Sequence, residues 1–278
     1  LAGNVTVAGD LKLDTDVTIA MDTHDLTVTN ATDIDGTLAV ADNTLTLDGS
    51  SDIDGTITIS TGIVDANGTF DATSGFVTFT DAGNLTLDST VTSLGALSTT
   101  NGTVVYDGVD QTVFSDDYYS LTAGGGSGIK TFGGGVTVAN DLTIDTDVTI
   151  AMDTHHLTVT NATDIDGNLT VAASTLTLDG GSDIDGTITI STGTVDANGA
   201  FDATGGFVTF TDAGNLNLFS TVTDLGTLTS NIGTVIYDGV DQVVFSDVYY
   251  NLTAGGGSGT KTLGGNVTVE NDLTIDTD

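Results

Sequence analysis

The chain of 278 residues contains no cysteine, no proline and no tryptophan. Without cysteine it can form neither disulfides nor thiolate metal sites, so its stability must come from packing or from bound ions. The missing proline argues against globular domains joined by stiff linkers, in which proline is common. These absences leave a fold built from repeated packing contacts.

Positive charge is also almost absent. The chain has 39 acidic residues against three lysines and no arginine, and its formal net charge is −36. Nothing here can neutralise phosphate, so we expect no nucleic-acid partner and no binding to anionic membranes. No apolar run approaches the ~20 residues of a membrane-spanning helix, so we predict no membrane span in this segment. Cations are the partners that this charge favours.

A long internal repeat dominates the sequence. Residues 1–131 and 132–262 are two copies of one unit, and residues 263–278 begin a third. About four-fifths of the positions are identical between the full copies, and the offset between them is constant. A fixed long period indicates an array of stacked structural units. Because the sequence begins and ends within the pattern, we predict that it is a fragment of a longer array.

A finer period predicts the fold. Apolar–Thr–apolar triplets recur at nearly even steps, near positions 5, 26, 45, 64, 85 and 104. Alternation places the aliphatic side chains on one face and threonine on the other, and Gly, Asn and Asp between the triplets form tight turns. Short strands in coils of about 20 residues predict an all-β fold, a parallel β-solenoid (β-helix) with six or seven coils in each repeat.

Tandem β-sandwich domains, one for each long repeat, are the alternative fold. Strands in sandwiches usually recur about every 8–12 residues. Here the apolar segments near positions 5, 11 and 17 lie much closer together than that, which favours the solenoid.

Residues 104–134 depart from the coil rhythm and are rich in aromatic residues and glycine. They contain Tyr106-Asp-Gly, then Tyr118-Tyr119-Ser-Leu121, and then Gly-Ser-Gly-Ile-Lys-Thr-Phe-Gly-Gly before the next Val-Thr-Val. This stretch resembles a repeat of very long bacterial surface proteins, the β-strand-repeat proteins, which are loosely akin to filamentous-haemagglutinin adhesins. The resemblance implies export, surface display and a role in adhesion or as a stalk, and it brings no catalytic residues.

Four Asp-Ile-Asp-Gly turns are the candidate metal sites. Paired Asp followed by Gly begins many calcium loops, and Asp-Gly alone also makes good turns. If one coil separates successive turns, Asp33 stacks on Asp52, and two charges about 5 Å apart repel by about 1 kcal/mol even in a water-like dielectric. A divalent ion, protonation or salt would relieve that repulsion. Calcium is therefore the one candidate cofactor, and its predicted ligands are Asp33, Asp35, Asp52, Asp54, Asp164, Asp166, Asp183 and Asp185.

Two lysines and a group of aromatic residues are further candidates for binding sites. Lys130 and Lys261 follow Gly-x-Gly, but no helix follows as a phosphate loop would require. We expect each lysine to form a local ion pair with a nearby Asp. Tyr118, Tyr119 and Phe114 could stack on sugars, although filling a wider coil is the expected role.

These patterns predict a structural protein and not an enzyme. The acidic pairs repeat identically in turns, whereas a catalytic site needs residues that converge in one cleft. The leading hypothesis is an extracellular repeat protein on a prokaryotic cell surface that forms a stalk, an adhesin shaft or a filament. Its expected partner is itself, through end-to-end or repeat-to-repeat assembly. The alternative is an adhesion module that depends on calcium or other divalent cations or binds surface glycans.

Overall fold

The computed structural model describes residues 1–229, 231–256 and 259–276. In these ranges the chain is all-β, and within each of its two compact units the parallel coils stack into a β-solenoid with ~19-residue spacing. The predicted fold class is confirmed. The sandwich alternative is wrong, because sandwich sheets are antiparallel and all strand pairs described here are parallel. None of the described residues forms a helix of the length and apolarity that crossing a membrane requires.

The chain divides into two compact units, Leu1–Gly134 and Gly135–Asp278. The first unit contains the strands β1 (Val5–Val7), β2 (Leu11–Leu13), β3 (Thr18–Ala20), β4 (Leu26–Val28), β5 (Thr32–Ile34), β6 (Thr37–Val40), β7 (Thr44–Leu47), β8 (Ser51–Ile53), β9 (Thr56–Ile59), β10 (Ile63–Ala66), β11 (Phe70–Asp71), β12 (Phe76–Phe79), β13 (Asn84–Leu87), β14 (Val91–Ser93), β15 (Ala96–Leu97), β16 (Thr103–Tyr106), β17 (Gln111–Val113), β18 (Asp117–Tyr118), β19 (Ser120–Ala123) and β20 (Gly128–Phe132).

The described residues of the second unit contain the strands β21 (Val136–Val138), β22 (Leu142–Ile144), β23 (Val148–Ala151), β24 (Leu157–Val159), β25 (Thr163–Ile165), β26 (Asn168–Val171), β27 (Thr175–Leu178), β28 (Ser182–Ile184), β29 (Thr187–Ile190), β30 (Thr194–Ala197), β31 (Phe201–Asp202), β32 (Phe207–Phe210), β33 (Asn215–Leu218), β34 (Val222–Asp224), β35 (Thr227–Thr229), β36 (Thr234–Tyr237), β37 (Gln242–Val244), β38 (Val248–Tyr249), β39 (Asn251–Ala254), β40 (Lys261–Leu263), β41 (Thr268–Val269) and β42 (Leu273–Ile275).

Each coil contributes one strand to each of three parallel sheets. In the first unit the first sheet runs β1-β4-β7-β10-β13-β16-β19, the second β2-β5-β8-β11-β14 and the third β3-β6-β9-β12-β15. The second unit has the same plan, with sheets β21-β24-β27-β30-β33-β36-β39-β42, β22-β25-β28-β31-β34 and β23-β26-β29-β32-β35. Three short strands joined by tight turns therefore make one coil.

The strand register confirms the period that the triplets predicted. Residues at the predicted positions pair directly in the first sheet, in the order Val5, Leu26, Leu45, Val64, Leu85 and Val104. The next partner of Val104 is Leu121, which comes earlier in the chain than the regular step would place it. That shorter coil was not predicted, and it lies in the aromatic stretch.

The core is a stack of aliphatic side chains enclosed by the three sheets. Strands such as β7 and β9 alternate, with aliphatic residues buried and threonines partly exposed. Leu45, Ile57 and Val64 are each 0% exposed. Burying one such side chain stabilises the fold by about 1.5–3 kcal/mol. Because most inward positions are apolar in successive coils, with exceptions such as Thr32 and Ser51, this stabilisation accumulates along the stack.

Two of the three sheets are interrupted once in each repeat, at a position that we call the sheet break. In the first unit the second and third sheets end at β14 and β15, and β17 pairs with β20 instead of β14. In the second unit they end at β34 and β35, while β37 pairs with β40 and β38 with β41. Among the described strands of each unit, only those of the first sheet continue past the break. Other interactions must therefore hold the two sides together there.

The repeat length is not a whole number of coils. Within the second unit, β41 and β42 are the counterparts of β21 and β22, one full repeat later in the sequence. Yet it is β42 that joins the sheet of β21, through the pairing of Leu252 with Leu273. One repeat therefore falls one strand short of seven coils, and the strand that opens the next repeat lies on a different sheet from its counterpart.

Glycine in the Asp-Ile-Asp-Gly turns is required by the closeness of the coils. A Cβ atom added at Gly186 would lie 1.9 Å from the carbonyl oxygen of Gly167, the glycine of the preceding turn. Nothing lies within 4 Å of such an atom at Gly181, whose counterpart in the first repeat is Ser50. The two glycines therefore differ in the space that is available for a side chain.

We predict that Gly186→Ala lowers the free energy of unfolding by at least about 1–3 kcal/mol, because the backbone must move away from Gly167 to admit the methyl group. Gly181→Ala is the matched control and should change it by no more than about 0.5 kcal/mol. Urea unfolding followed by circular dichroism measures both. Equal effects of the two substitutions would contradict the stacking of the turns.

Candidate functional site

The carboxylates of the Asp-Ile-Asp-Gly turns stack as the sequence predicted. Asp33 on β5 is the register partner of Asp52 on β8. In the second unit Asp164 on β25 is the partner of Asp183 on β28. Both pairs lie at outward positions of their strands, between buried neighbours. The stacked coils therefore bring like charges together along one face.

Each stack continues by one further carboxylate that the motif did not reveal. Asp71 follows Asp52 in the register, and Asp202 follows Asp183. We call the two sets, Asp33-Asp52-Asp71 and Asp164-Asp183-Asp202, the aspartate ladders. Asp71 belongs to a Phe-Asp segment and not to an Asp-Ile-Asp-Gly turn. Asp71 follows Asp52 by the same number of residues by which Asp52 follows Asp33, and only this equal spacing could have identified it.

The second Asp of each turn leaves the strand and begins the corner. The backbone N–H of Asp35 donates to the carbonyl of Leu13 at 2.8 Å, and that of Asp54 donates to Ile34 at 3.0 Å. Each corner is thereby tied to the preceding coil. The remaining members of this set, Asp166 and Asp185, lie in the equivalent corners of the second unit, with exposed side chains.

Stacking raises the pKa of several ladder carboxyls. Partial burial and then the charges of Asp54, Asp71 and Asp33 raise the pKa of Asp52. The pKa of Asp183 is raised in the same way, by burial and by Asp185 and further carboxylates. Both effects disfavour the charged form. Repulsion within the ladders therefore lowers the free energy of unfolding at neutral pH.

One lysine relieves this repulsion in the first repeat. Lys12 Nζ contacts Asp33 Oδ2 at 2.6 Å and Asp35 Oδ2 at 3.3 Å. Hydrogen bonds to these two carboxylates raise the pKa of Lys12 to about 12. The counterpart in the second repeat is Thr143, which has no charge. Because the ion pair is well exposed, it contributes little stability, and the fold does not depend on it.

The aspartate ladders are also where calcium was predicted. Calcium takes six to eight oxygen ligands. Among the described residues, no group of three or more His, Cys, Asp or Glu side chains is arranged so that it could hold a metal ion. The stacked pairs could supply only some of the ligands, with water and backbone oxygens completing the shell. Calcium binding by these eight aspartates stays a prediction.

A groove opens at the sheet break of the first unit. It encloses about 550 Å³ and lies between the ends of the interrupted sheets. Its lining combines carboxylates, hydroxyls and aliphatic groups, from Asp88, Ser89, Thr90, Val91, Asp110, Gln111, Thr112, Ile129 and Thr131. The corresponding groove of the second unit is about 390 Å³ and is more apolar, since Phe219 and Val243 replace Asp88 and Thr112.

A buried glutamine bridges the sheet break. The Nε2 group of Gln111 donates to the carbonyls of Leu87 at 2.7 Å and Ser89 at 2.8 Å, in the coil before the break. Its Oε1 accepts from the backbone N–H of Gly108 at 2.7 Å. The side chain thus substitutes for missing sheet hydrogen bonds. Sequence reasoning missed this residue, although Gln111 and its counterpart Gln242 are the only glutamines in the chain.

Lys130 lies beside this glutamine and is fully buried. The predicted ion pair is wrong: among the described residues, no carboxylate oxygen comes within 4.0 Å of its Nζ atom. Instead Nζ donates hydrogen bonds to the carbonyl of Gly108 and, at 3.3 Å, to Gln111 Oε1. Burial lowers the pKa of Lys130, opposed by the charges of Asp107, Asp110 and Asp88.

Two tyrosines fill the interior at the break, which confirms a packing role for Tyr118. The rings of Tyr106 and Tyr118 meet edge to face with centroids 6.4 Å apart, and both are 0% exposed. Tyr106 Oη accepts from the N–H of Phe114 at 2.9 Å, and Tyr118 Oη donates to the carbonyl of Phe114 at 2.6 Å. In the 3.0 Å contact between the hydroxyls, Tyr106 must therefore be the donor. Tyr237 and Tyr249 form the same network around Phe245.

Comparisons of the chain with protein-family models, with curated proteins and with solved structures give no match. The proposed function is therefore based on the geometry of the structure.

The aspartate ladders predict that acidification from pH 7 to about pH 4 stabilises the protein. Because the pKa values of Asp52, Asp164 and Asp183 are raised in the folded state, the folded chain binds more protons than the unfolded chain as the pH falls through them. The free energy of unfolding therefore rises, and the gain is complete below the ordinary pKa of 3.8. Urea unfolding at constant ionic strength and several pH values measures this. Asp52→Asn with Asp183→Asn should flatten the profile, and a steady loss of stability on acidification would contradict the prediction.

The tyrosine network predicts that Tyr106→Phe lowers the free energy of unfolding by about 1–3 kcal/mol, since it leaves the N–H of Phe114 without its acceptor. Tyr119→Phe is the control, because no hydrogen bond of the Tyr119 hydroxyl is described, and it should change the value by no more than about 0.5 kcal/mol. Thermal unfolding followed by circular dichroism compares them. Similar effects of both substitutions would show that the network adds no stability.

Proposed function

We propose that this chain is a structural segment of an extracellular repeat protein, which forms the shaft of a stalk, an adhesin or a filament on a prokaryotic cell surface. The observation that supports this proposal is the repeated parallel ladder, in which at least one sheet bonds each coil to the coil before it within a unit and most inward positions are aliphatic. In such an array each coil contacts mainly its neighbours, so length follows from the number of coils. A shaft needs that property, and a compact binding or catalytic domain does not.

Self-assembly is the partner interaction that this architecture favours. The outermost strand of a parallel stack has unpaired N–H and C=O groups, which are a template for another strand. Because the repeats are nearly identical, a coil of one copy matches the coil that would follow in another, and the contact is head-to-tail. The net charge of −36 opposes side-by-side association. End-to-end growth is therefore the favoured mode.

A non-catalytic role is part of the proposal. The carboxylates recur at the same corner of successive coils, so they do not form one enclosed pair of the kind that acid–base catalysis uses. The alternative function is adhesion that depends on divalent cations or on surface glycans. Its support is the polar groove at the sheet break, where carboxylates and hydroxyls lie beside aliphatic side chains.

Electron microscopy of the purified chain at neutral pH, beside a variant with one additional copy of residues 132–262, tests the shaft proposal. We expect elongated particles that lengthen in proportion to the added coils, because every coil adds one strand spacing of about 4.8 Å. Fibres that grow end to end would identify a filament subunit. Globular beads spaced by one repeat would contradict the proposal. Particles that elongate only with millimolar calcium, and not with a chelator, would favour the cation-dependent alternative.

A further inference from the structure

Lysine and glutamine lie side by side once in each repeat, on adjacent coils at the sheet break. Gln111 on β17 is the register partner of Lys130 on β20, and Gln242 on β37 is the partner of Lys261 on β40. Lys130 is 0% exposed and Gln111 is 9% exposed. A buried lysine normally has a carboxylate partner. Here its nearest side-chain partner is instead a carboxamide.

The carboxamide of Gln111 is held so that its carbonyl faces the lysine. Hydrogen bonds from Nε2 to the carbonyls of Leu87 and Ser89 fix one end of the group, and the N–H of Gly108 binds the oxygen at 2.7 Å. Lys130 Nζ lies 3.3 Å from that oxygen. Because the amine and the carboxamide are held in contact, they need no diffusion to react, and a rotation of the lysine side chain would aim the amine lone pair at the carbon. The N–H of Gly108 also lies where negative charge would develop on the oxygen during attack on the carbon.

A proton carrier lies in the same groove. Asp88 sits between Leu87 and Ser89, the two residues that hold Gln111, and its Oδ1 atom is buried without a hydrogen-bond partner. Burial and the charges of Asp107 and Asp65 raise its pKa, while burial lowers the pKa of Lys130. The carboxyl and the amine are therefore both shifted towards their neutral forms, which are the proton donor and the nucleophile that amide exchange requires.

We propose that Lys130 and Gln111 become joined by an isopeptide bond between Nζ and Cδ, with release of ammonia. The lone pair of neutral Nζ attacks Cδ, and the N–H of Gly108 stabilises the oxygen of the tetrahedral intermediate. The carboxyl of Asp88 gives its proton to Nε2, directly or through one water in the groove, and the Cδ–Nε2 bond breaks. The resulting carboxylate takes a proton from Nζ. One amine and one primary amide thus yield one secondary amide and one ammonia, without an oxidant or a cofactor.

The second repeat pairs the same two residue types without the proton carrier, and its lysine, Lys261, is only partly buried. Gln242 makes the same three hydrogen bonds, to Leu218, Ser220 and Gly239. Lys261 Nζ likewise donates to the carbonyl of Gly239. The counterpart of Asp88, however, is Phe219. We therefore expect the pair in the second repeat to stay unlinked, which makes it an internal control.

The cross-link would join β17 to β20, which lie in the two successive coils that follow the sheet break. Two of the three sheets are interrupted before β17, where the side chain of Gln111 holds the carbonyls of Leu87 and Ser89. The bond would therefore tie the next coil to the residue that bridges the break. In a shaft, such a bond resists separation of the coils under tension. The chemistry itself does not depend on the shaft role, so failure of one proposal leaves the other standing.

Intact mass spectrometry of the denatured full chain tests the proposal. We expect the wild-type chain to be lighter by one ammonia than its sequence requires, and peptide mapping should join the peptide of Gln111 to that of Lys130. Lys130→Arg and Asp88→Asn should each restore the full mass. Phe219→Asp should supply the missing proton carrier and produce a second loss of ammonia, at Gln242 and Lys261.

Three results would overturn the proposal. The first is a wild-type chain of full mass in a sample that circular dichroism shows to be folded. The second is a loss of ammonia that persists in Lys130→Arg, which would assign it to another reaction such as succinimide formation at an Asn-Gly sequence. The third is loss of two ammonia molecules from the wild-type chain, because the second repeat would then react without Asp88. If Lys130→Arg does not fold, Asp88→Asn, which keeps the bridging residues, decides the same question.

Discussion

The register between successive coils is the constraint on which the rest of the structure depends. Parallel pairing places each residue directly against its counterpart in the next coil, about 4.8 Å away. Aliphatic residues therefore stack on aliphatic residues and fill the interior, as Leu26, Leu45 and Val64 do. The same rule stacks Gly186 on Gly167, where no larger residue fits. It also stacks aspartate on aspartate, which is unfavourable at neutral pH.

At other positions the chain avoids such repulsion by stacking asparagine on aspartate. Asn67 Nδ2 donates to Asp48 Oδ1 at 2.9 Å, and Asn198 makes the same contact with Asp179 at 2.7 Å. An amide above a carboxylate removes one like-charge contact and satisfies one acceptor. In the ladders the next residue is another Asp, and among the described residues only Lys12 provides a counter-charge. We therefore expect the stability of the ladders to depend on pH and on salt concentration.

At the sheet break the strand register is interrupted, and side chains take over some of the hydrogen bonds between coils. Without ladder bonds between β14 and β17, the side chain of Gln111 joins the two sides, while Lys130 and the tyrosine pair form hydrogen bonds within the coils that follow the break. Satisfying buried polar groups with side chains requires specific residues, unlike the interchangeable Val, Leu and Ile of the regular coils. This explains why the least repetitive chemistry of each repeat is concentrated at one position. It also explains why the candidate chemistry lies there.

The amino-acid sequence by itself determined the regular part of this protein. Alternation of period two and the nearly even steps between the triplets predicted the coils, their register and the stacking of Asp33 on Asp52, because these follow from local pattern and one repeated spacing. The tertiary structure alone decided the irregular part. Three features depend on where the chain shortens a coil and interrupts two sheets. Lys130 contacts Gln111 instead of an aspartate, Tyr106 pairs with Tyr118, and one repeat is a strand short of seven coils. Such choices are set by packing between residues that are distant in the chain, and no local pattern encodes them.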